Sequence, residues 1–133
     1  GRLHDILENG ESEFSAYTAA KKTITGQAMK NRGATYHTFL KGICDFAQSR
    51  DIFEAFTGYL LAAYSELARA GLSESYMPEF WTEEEAQTYA MTFAADTIEK
   101  SFAAAEEIRS DLRFNTNLSL AAATLATALW NAV

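Results

Sequence analysis

The chain has 133 residues, of which 48% are apolar, with one proline and seven glycines; this composition excludes a low-complexity or disordered polypeptide and allows one hydrophobic core. Cys44 is the only cysteine, which excludes an intramolecular disulfide framework and a thiolate-built zinc site and favours a reducing compartment such as the cytoplasm. The net charge of −7 argues against broad binding to nucleic acid or anionic lipid.

Apolar residues recur at spacings of three and four along the chain, which is typical of amphipathic helices, and no long alternation typical of a strand is present. The first helix is predicted over residues 11–33, with Ser12 as its N-cap and Gly33 as its stop. A short extra turn before it would contain Leu3, Ile6 and Leu7. The second helix is predicted over residues 35–48, with a buried stripe of Tyr36, Phe39, Leu40, Ile43, Cys44 and Ala47.

The third helix, over residues 51–71, has the clearest apolar pattern. Asp51 and Glu54 have the spacing of a capping box. Gly71 is predicted to take the left-handed position after the helix, which would place Leu72 against Leu67. The predicted buried stripe consists of Ile52, Phe56, Tyr59, Ala63, Leu67 and Ala70.

The fourth helix is predicted over residues 82–113, with Thr82 and Glu85 as a capping box and Trp81 and Ala86 as a hydrophobic staple. A continuous helix of this length runs about 48 Å, whereas a compact chain of this size has a radius of gyration of about 14 Å. The helix must therefore kink, or the bundle is elongated, or one end projects. The apolar stripe would be Met91, Ala95, Ile98, Phe102, Ala105 and Leu112, and the solvent face Asp96, Glu99, Ala103, Glu106 and Ser110.

The last twenty residues, 114–133, carry no charge. Their helical part, residues 118–133, runs about 24 Å after a cap at Asn115, Thr116 or Asn117, which is shorter than the hydrocarbon core of about 30 Å, so we expect no membrane span. A helix without charge is predicted to be buried nearly all round, either at the centre of the bundle or between this chain and another. Its candidate interface residues are Ala123, Ala126 and Trp130. The elements together predict an all-α bundle of five to six helices, compact or elongated, in a single domain over residues 1–133.

Between positions 21 and 50 the chain carries six basic residues and one acidic residue, whereas the rest of the chain is acidic. Such a segment could bind nucleic-acid phosphates as part of a larger complex, it could be a solvated face, or it could pair with the acidic second half of the chain. The acidic remainder permits a third interpretation, an inhibitor that imitates nucleic acid. The candidate polyanion-binding residues are Lys21, Lys22, Lys30, Arg32 and Lys41.

The only proline, Pro78, lies in a loop rich in aromatic residues before the fourth helix. Aromatic side chains and methionine are enriched at protein interfaces, so this loop could anchor a partner; alternatively, it folds back as a lid over the end of the bundle. The candidate residues are Tyr76, Met77, Phe80 and Trp81.

Residue types needed for catalysis are sparse, and we expect no catalytic residue, metal or cofactor. His37 and Cys44 would be about 10 Å apart along one helix, which is too far for a catalytic pair. No Glu-x-x-His pair, EF-hand or phosphate-binding loop is present. A carrier of apolar ligands is one alternative, although aromatic residues at helical spacing are more often core. The function we expect is a non-enzymatic structural or adaptor subunit that acts through protein–protein contacts, including contacts between its own copies, and not at a membrane.

Overall fold

The computed structural model describes residues 2–30, 32–72, 78–114 and 117–133, with side chains from Phe14 onward. These residues form α-helices and no strand, which confirms the all-α prediction. The six helices are α1 (Arg2–Ala28), α2 (Tyr36–Cys44), α3 (Arg50–Gly71), α4 (Glu83–Thr92), α5 (Ala95–Asp111) and α6 (Leu118–Asn131), and a 3₁₀ turn (Leu112–Phe114) follows α5.

Helix α3 lies at the centre of the bundle, against α1, α4 and α5, while α6 packs against α2 and α5. The buried face of α3 includes three residues of its predicted stripe, Phe56, Ala63 and Leu67. The remaining buried residues of this face are Phe53, Thr57, Leu60 and Tyr64. Because neighbours surround α3 on several sides, its buried face is wider than the stripe that a four–three spacing predicts.

The beginning of α1 differs from the prediction. The helix starts at Arg2, so Ser12 lies inside it and is not its N-cap, and the predicted extra turn before residue 11 belongs to the same helix. The side chains of Leu3, Ile6 and Leu7 lie outside the described residues. The helix ends at Ala28, and Gly33 follows in the connection to α2 with a φ of 115°, a conformation that glycine adopts most readily.

The predicted ends of α3 are also corrected. Ser49 occupies the N-cap position without a side-chain cap bond, so the capping box at Asp51 is not formed. At the other end the helix continues through Gly71, and Leu72 is 72% exposed rather than packed against Leu67. Since Gly71 stays helical, the chain does not make the reversal that would have brought Leu72 back.

The predicted long fourth helix is broken into α4 and α5 at Phe93 and Ala94, both of which have extended backbone angles. The capping box of Thr82 and Glu85 is confirmed at the start of α4. Phe93, at the break, is buried, whereas Met91, two residues before it on α4, is 87% exposed. Two predicted stripe residues, Met91 and Ala95, are therefore exposed, whereas the predicted solvent face of α5 is exposed as expected.

A buried polar cluster joins four helices. The amide nitrogen of Gln27 on α1 donates to the hydroxyl oxygen of Ser101 on α5 at 3.0 Å and to the carbonyl oxygen of Leu129 on α6 at 2.9 Å. The hydroxyl of Tyr64 on α3 donates to the Gln27 amide oxygen. Burial raises the pKa of the Tyr64 hydroxyl far above its ordinary value, since its hydrogen bonds with Ser101 and Gln27 offset only part of the effect. The cluster therefore fixes the relative positions of α1, α3, α5 and α6.

Candidate interaction surface

Lys21 is engaged inside the protein. Its ammonium nitrogen lies 3.3 Å from a carboxylate oxygen of Glu85 and within 6 Å of the ring centres of Tyr17, Phe80 and Trp81. Burial alone would lower the pKa of Lys21, but its interactions with Tyr17 and Glu85 outweigh that effect and raise the pKa above its ordinary value. This side chain joins α1 to the start of α4, so it is not a free polyanion-binding group.

Lys30 is also engaged. Its ammonium group donates to the carbonyl oxygens of Trp130 at 2.7 Å and Val133 at 3.2 Å, and it lies 5.3 Å from the centre of the Trp130 ring. A cation at this place satisfies backbone carbonyls that the end of α6 leaves without partners and interacts favourably with the helix dipole. Lys30 therefore holds the end of α6 against the connection that follows α1.

The other three candidate cations are exposed: Lys22, Arg32 and Lys41. No ion pair involving them is found among the described residues. Of the five predicted polyanion-binding residues, the fold thus leaves three at the surface and uses two within the protein.

The aromatic loop folds back onto the bundle. Phe80 and Trp81 are only 4% and 3% exposed, so they belong to the chain's own core and offer no surface for a partner. The carboxylate of Glu66 on α3 accepts backbone N–H groups from Glu79 and Phe80 at 3.2 and 2.8 Å, and from Trp81 at 3.2 Å.

Two further hydrogen bonds fix the same loop. The Tyr17 hydroxyl donates to the carbonyl oxygen of Phe80 at 2.7 Å, and the Trp81 indole nitrogen donates to the carbonyl oxygen of Ala63 at 3.1 Å. The lid interpretation therefore applies to Phe80 and Trp81. The other two residues of that prediction, Tyr76 and Met77, lie outside the described residues.

The inner side of α6 belongs to the core of this chain. Ala126 is fully buried and Ala123 half-buried. Trp130 is half-buried, with its ring 5.3 Å from that of Phe39 and 6.0 Å from that of Tyr36. These three predicted interface residues thus pack wholly or partly within the chain, and α6 is held through them and through Leu129.

The opposite side of α6 faces solvent, which corrects the prediction of a helix buried nearly all round. We call this side the outer face of α6; its residues are Leu120, Thr124, Thr127, Ala128 and Asn131, all of them exposed and none of them charged. Leu120 is 65% exposed, and Phe114, shortly before the helix, is 78% exposed. The sequence alone does not reveal this face, because the absence of charge along the helix predicts burial on nearly every side.

The described residues bring no cysteine, histidine or metal-binding side chains together into a catalytic or metal site. Burial, and to a smaller extent the neighbouring Asp45 carboxylate, raises the pKa of the Cys44 thiol, which disfavours the reactive thiolate. His37 is exposed. No group of three metal-binding side chains is found among these residues, and none of the helices they form combines the length and apolarity that a membrane span requires.

Comparison with protein-family models, curated proteins and solved structures found no match to this chain. The interpretation of function therefore depends on the geometry of the chain itself.

Proposed function

We propose that the protein is a non-enzymatic structural or adaptor subunit that binds another protein through the outer face of α6. The observation that carries this proposal is the 65% exposure of Leu120 on a helix face without any charged side chain. Burying a leucine side chain fully contributes about 1.5–3 kcal/mol, and a face without charges can be covered without desolvating an ion.

The composition of the chain makes this face distinctive. Each of the other five helices includes at least one acidic or basic residue, whereas α6 has none over Leu118–Asn131. Interface cores are depleted of charged residues relative to the rest of a protein surface. A partner that covers the outer face of α6, whether another protein or a second copy of this chain, would thus meet a surface with the composition of an interface core.

Salt dependence separates this proposal from assembly driven by charge. Contact between basic and acidic parts of two copies should weaken at high salt, because exposed charges are screened. A complex formed through the outer face of α6 should persist in 1 M NaCl, because it buries apolar surface. Sedimentation velocity distinguishes charge-driven assembly from binding through the outer face of α6. The chain is measured alone and with proteins from its native source, in 0.1 and 1 M NaCl.

Three exposed cations support an alternative, in which the protein is a small subunit that binds a polyanion. Lys22, Arg32 and Lys41 are available for phosphate contacts, whereas Lys21 and Lys30 already have internal partners. Phosphate contacts supply most of the affinity of non-specific nucleic-acid binding, and this affinity falls steeply with salt. Three sites on a chain of net charge −7 support this alternative less strongly than the outer face of α6 supports protein binding. The lone cysteine supports a reducing compartment, such as the cytoplasm, for either function.

A further inference from the structure

A pocket of about 570 Å³ lies where α4 ends and α5 begins, against the second half of α3. Its volume falls within the range of about 300–1,000 Å³ that is typical of small-molecule sites. Its walls are mainly apolar and include Leu67, Leu72, Phe93, Ile98 and Phe102, with Glu99 beside them. The break at Phe93 and Ala94 separates α4 from α5 at this place.

The pocket has an apolar floor and a mixed rim. Leu67, Phe93 and Ile98 are buried and supply the floor, together with Tyr64, whose hydroxyl is already bonded to Gln27. Leu72 and Glu99 are exposed and lie at the rim. A ligand that enters deeply would therefore meet apolar groups, while any charge it carries would remain near the opening.

Among the residues that the structure describes, Glu99 is the one charged residue that lines the pocket. Lys100, the cation next to it in sequence, lies 2.9 Å from the carboxylate of Asp96. No ion pair of Glu99 is found among the described residues. Phe93 and Phe102 also line the pocket, and an aromatic side chain attracts a cation placed over its ring face. The Glu99 carboxylate thus favours positive charge at the rim of the described part of the pocket.

From this arrangement we infer that the pocket binds a small hydrophobic cation, such as an aromatic or branched aliphatic amine. The apolar body occupies the floor between α3 and α5, and the ammonium group faces the carboxylate of Glu99 at the rim. The inference does not depend on the function proposed for α6, because none of the pocket residues belongs to that helix.

Three probes of one shape test the inference: 1-naphthylmethylamine, the neutral 1-naphthylmethanol and the anionic 1-naphthoate. Each is titrated into the full chain while amide chemical shifts are followed by NMR. We expect saturable shifts at Leu67, Phe93 and Ile98, with the amine binding about two- to fivefold more tightly than the alcohol, because an exposed ion pair contributes modestly. The acid should bind most weakly.

Two variants locate the site, and a third provides the control. Glu99→Gln should reduce the affinity for the amine to that for the alcohol, whereas Glu106→Gln, another exposed acid on α5 that does not line the pocket, should leave both unchanged. Ala68→Phe, which adds a ring at the pocket wall, should weaken all binding. The inference is overturned if no probe saturates, if the shifts lie elsewhere, or if the acid binds as tightly as the amine.

Discussion

The side-chain amide of Gln27 donates a hydrogen bond to the backbone carbonyl oxygen of Leu129, although 102 positions separate the two residues. This bond attaches α6 directly to α1, and the Tyr64 hydroxyl completes the cluster from α3. Gln27 is fully buried, so none of its polar atoms can bond to water. A buried polar atom without a hydrogen-bond partner would lower the free energy of unfolding. The inner side of α6 is thus fixed by specific polar bonds as well as by packing, which leaves its outer face presented in one orientation.

Replacing Gln27 with methionine should destabilise the protein by about 2–4 kcal/mol, since it preserves most of the volume but leaves the Leu129 carbonyl without its donor and removes the bonds of Gln27 with Ser101 and Tyr64. Urea unfolding followed by circular dichroism measures the change. Gln87→Met is the matched control, because Gln87 is exposed on α4, and it should shift the midpoint little. Equal midpoints for the two variants would contradict the role of the cluster.

Glu66→Gln should loosen the loop that carries Phe80 and Trp81. An amide has one acceptor oxygen where the carboxylate has two, and hydrogen bonds to a charged acceptor are the stronger kind. We expect a loss of about 1–3 kcal/mol in the free energy of unfolding and faster hydrogen exchange at the Phe80 and Trp81 amides. Glu106→Gln is again the control. Unchanged exchange at both amides would show that Glu66 does not hold the loop.

The pair of Glu85 and Lys21 should give stability a defined pH dependence. The backbone N–H of Thr82, and to a smaller extent Lys21, outweigh burial and hold the pKa of Glu85 below its ordinary value of 4.5. The ionised carboxylate thus contributes stability above that pH, and the contribution disappears as pH falls through the lower pKa of the folded state.

Glu85→Gln should therefore lower the urea midpoint at neutral pH, and its difference from the parent protein should shrink below about pH 4. Glu84→Gln, an exposed neighbour on α4, is the control and should not reproduce this profile. A difference between parent and Glu85→Gln that stays constant from neutral pH to pH 3 would contradict the assignment.

The exposed cations give a test of the polyanion alternative. We expect little retention of the parent protein on immobilised single- or double-stranded DNA at about 50 mM salt, because Lys21 and Lys30 have internal partners and the net charge is −7. The double variant Lys22→Glu with Lys41→Glu should behave in the same way. Strong retention of the parent that this variant abolishes would favour the polyanion alternative.

Local sequence signals were of mixed reliability, since the capping box predicted at Asp51 and Glu54 does not form, although its spacing equals that of Thr82 and Glu85. The capping box of Thr82 and Glu85 joins residues three positions apart, and its spacing predicts it. Asn117, one of the three residues predicted to cap α6, is its N-cap. The break at Phe93 and Ala94 involves no glycine or proline, so no local signal marks it. With this break, Phe93 is buried in the core of the folded chain.

The candidate site depended on distant contacts that spacing cannot reveal. Lys21 is predicted as a surface cation because its partners Phe80 and Glu85 are about sixty positions away in sequence and come together only in the folded chain. In the same way, the uncharged composition of α6 indicates burial, but it does not tell which side is covered by this chain and which side is left for another.

The central claim is that the outer face of α6 binds a protein. The test compares Leu120→Lys with Met91→Lys, because both replace an exposed apolar residue with the same cation, one on this face and one on α4. The partner is the protein, or the second copy of the chain, whose complex with this chain persists at 1 M NaCl in sedimentation velocity. The affinity of this partner for each variant is then measured. We predict that both variants keep the parent's circular dichroism and urea midpoint, and that only Leu120→Lys weakens binding, by at least about tenfold. Equal affinity for both variants, or a chain that remains a monomer and finds no partner, would contradict the claim.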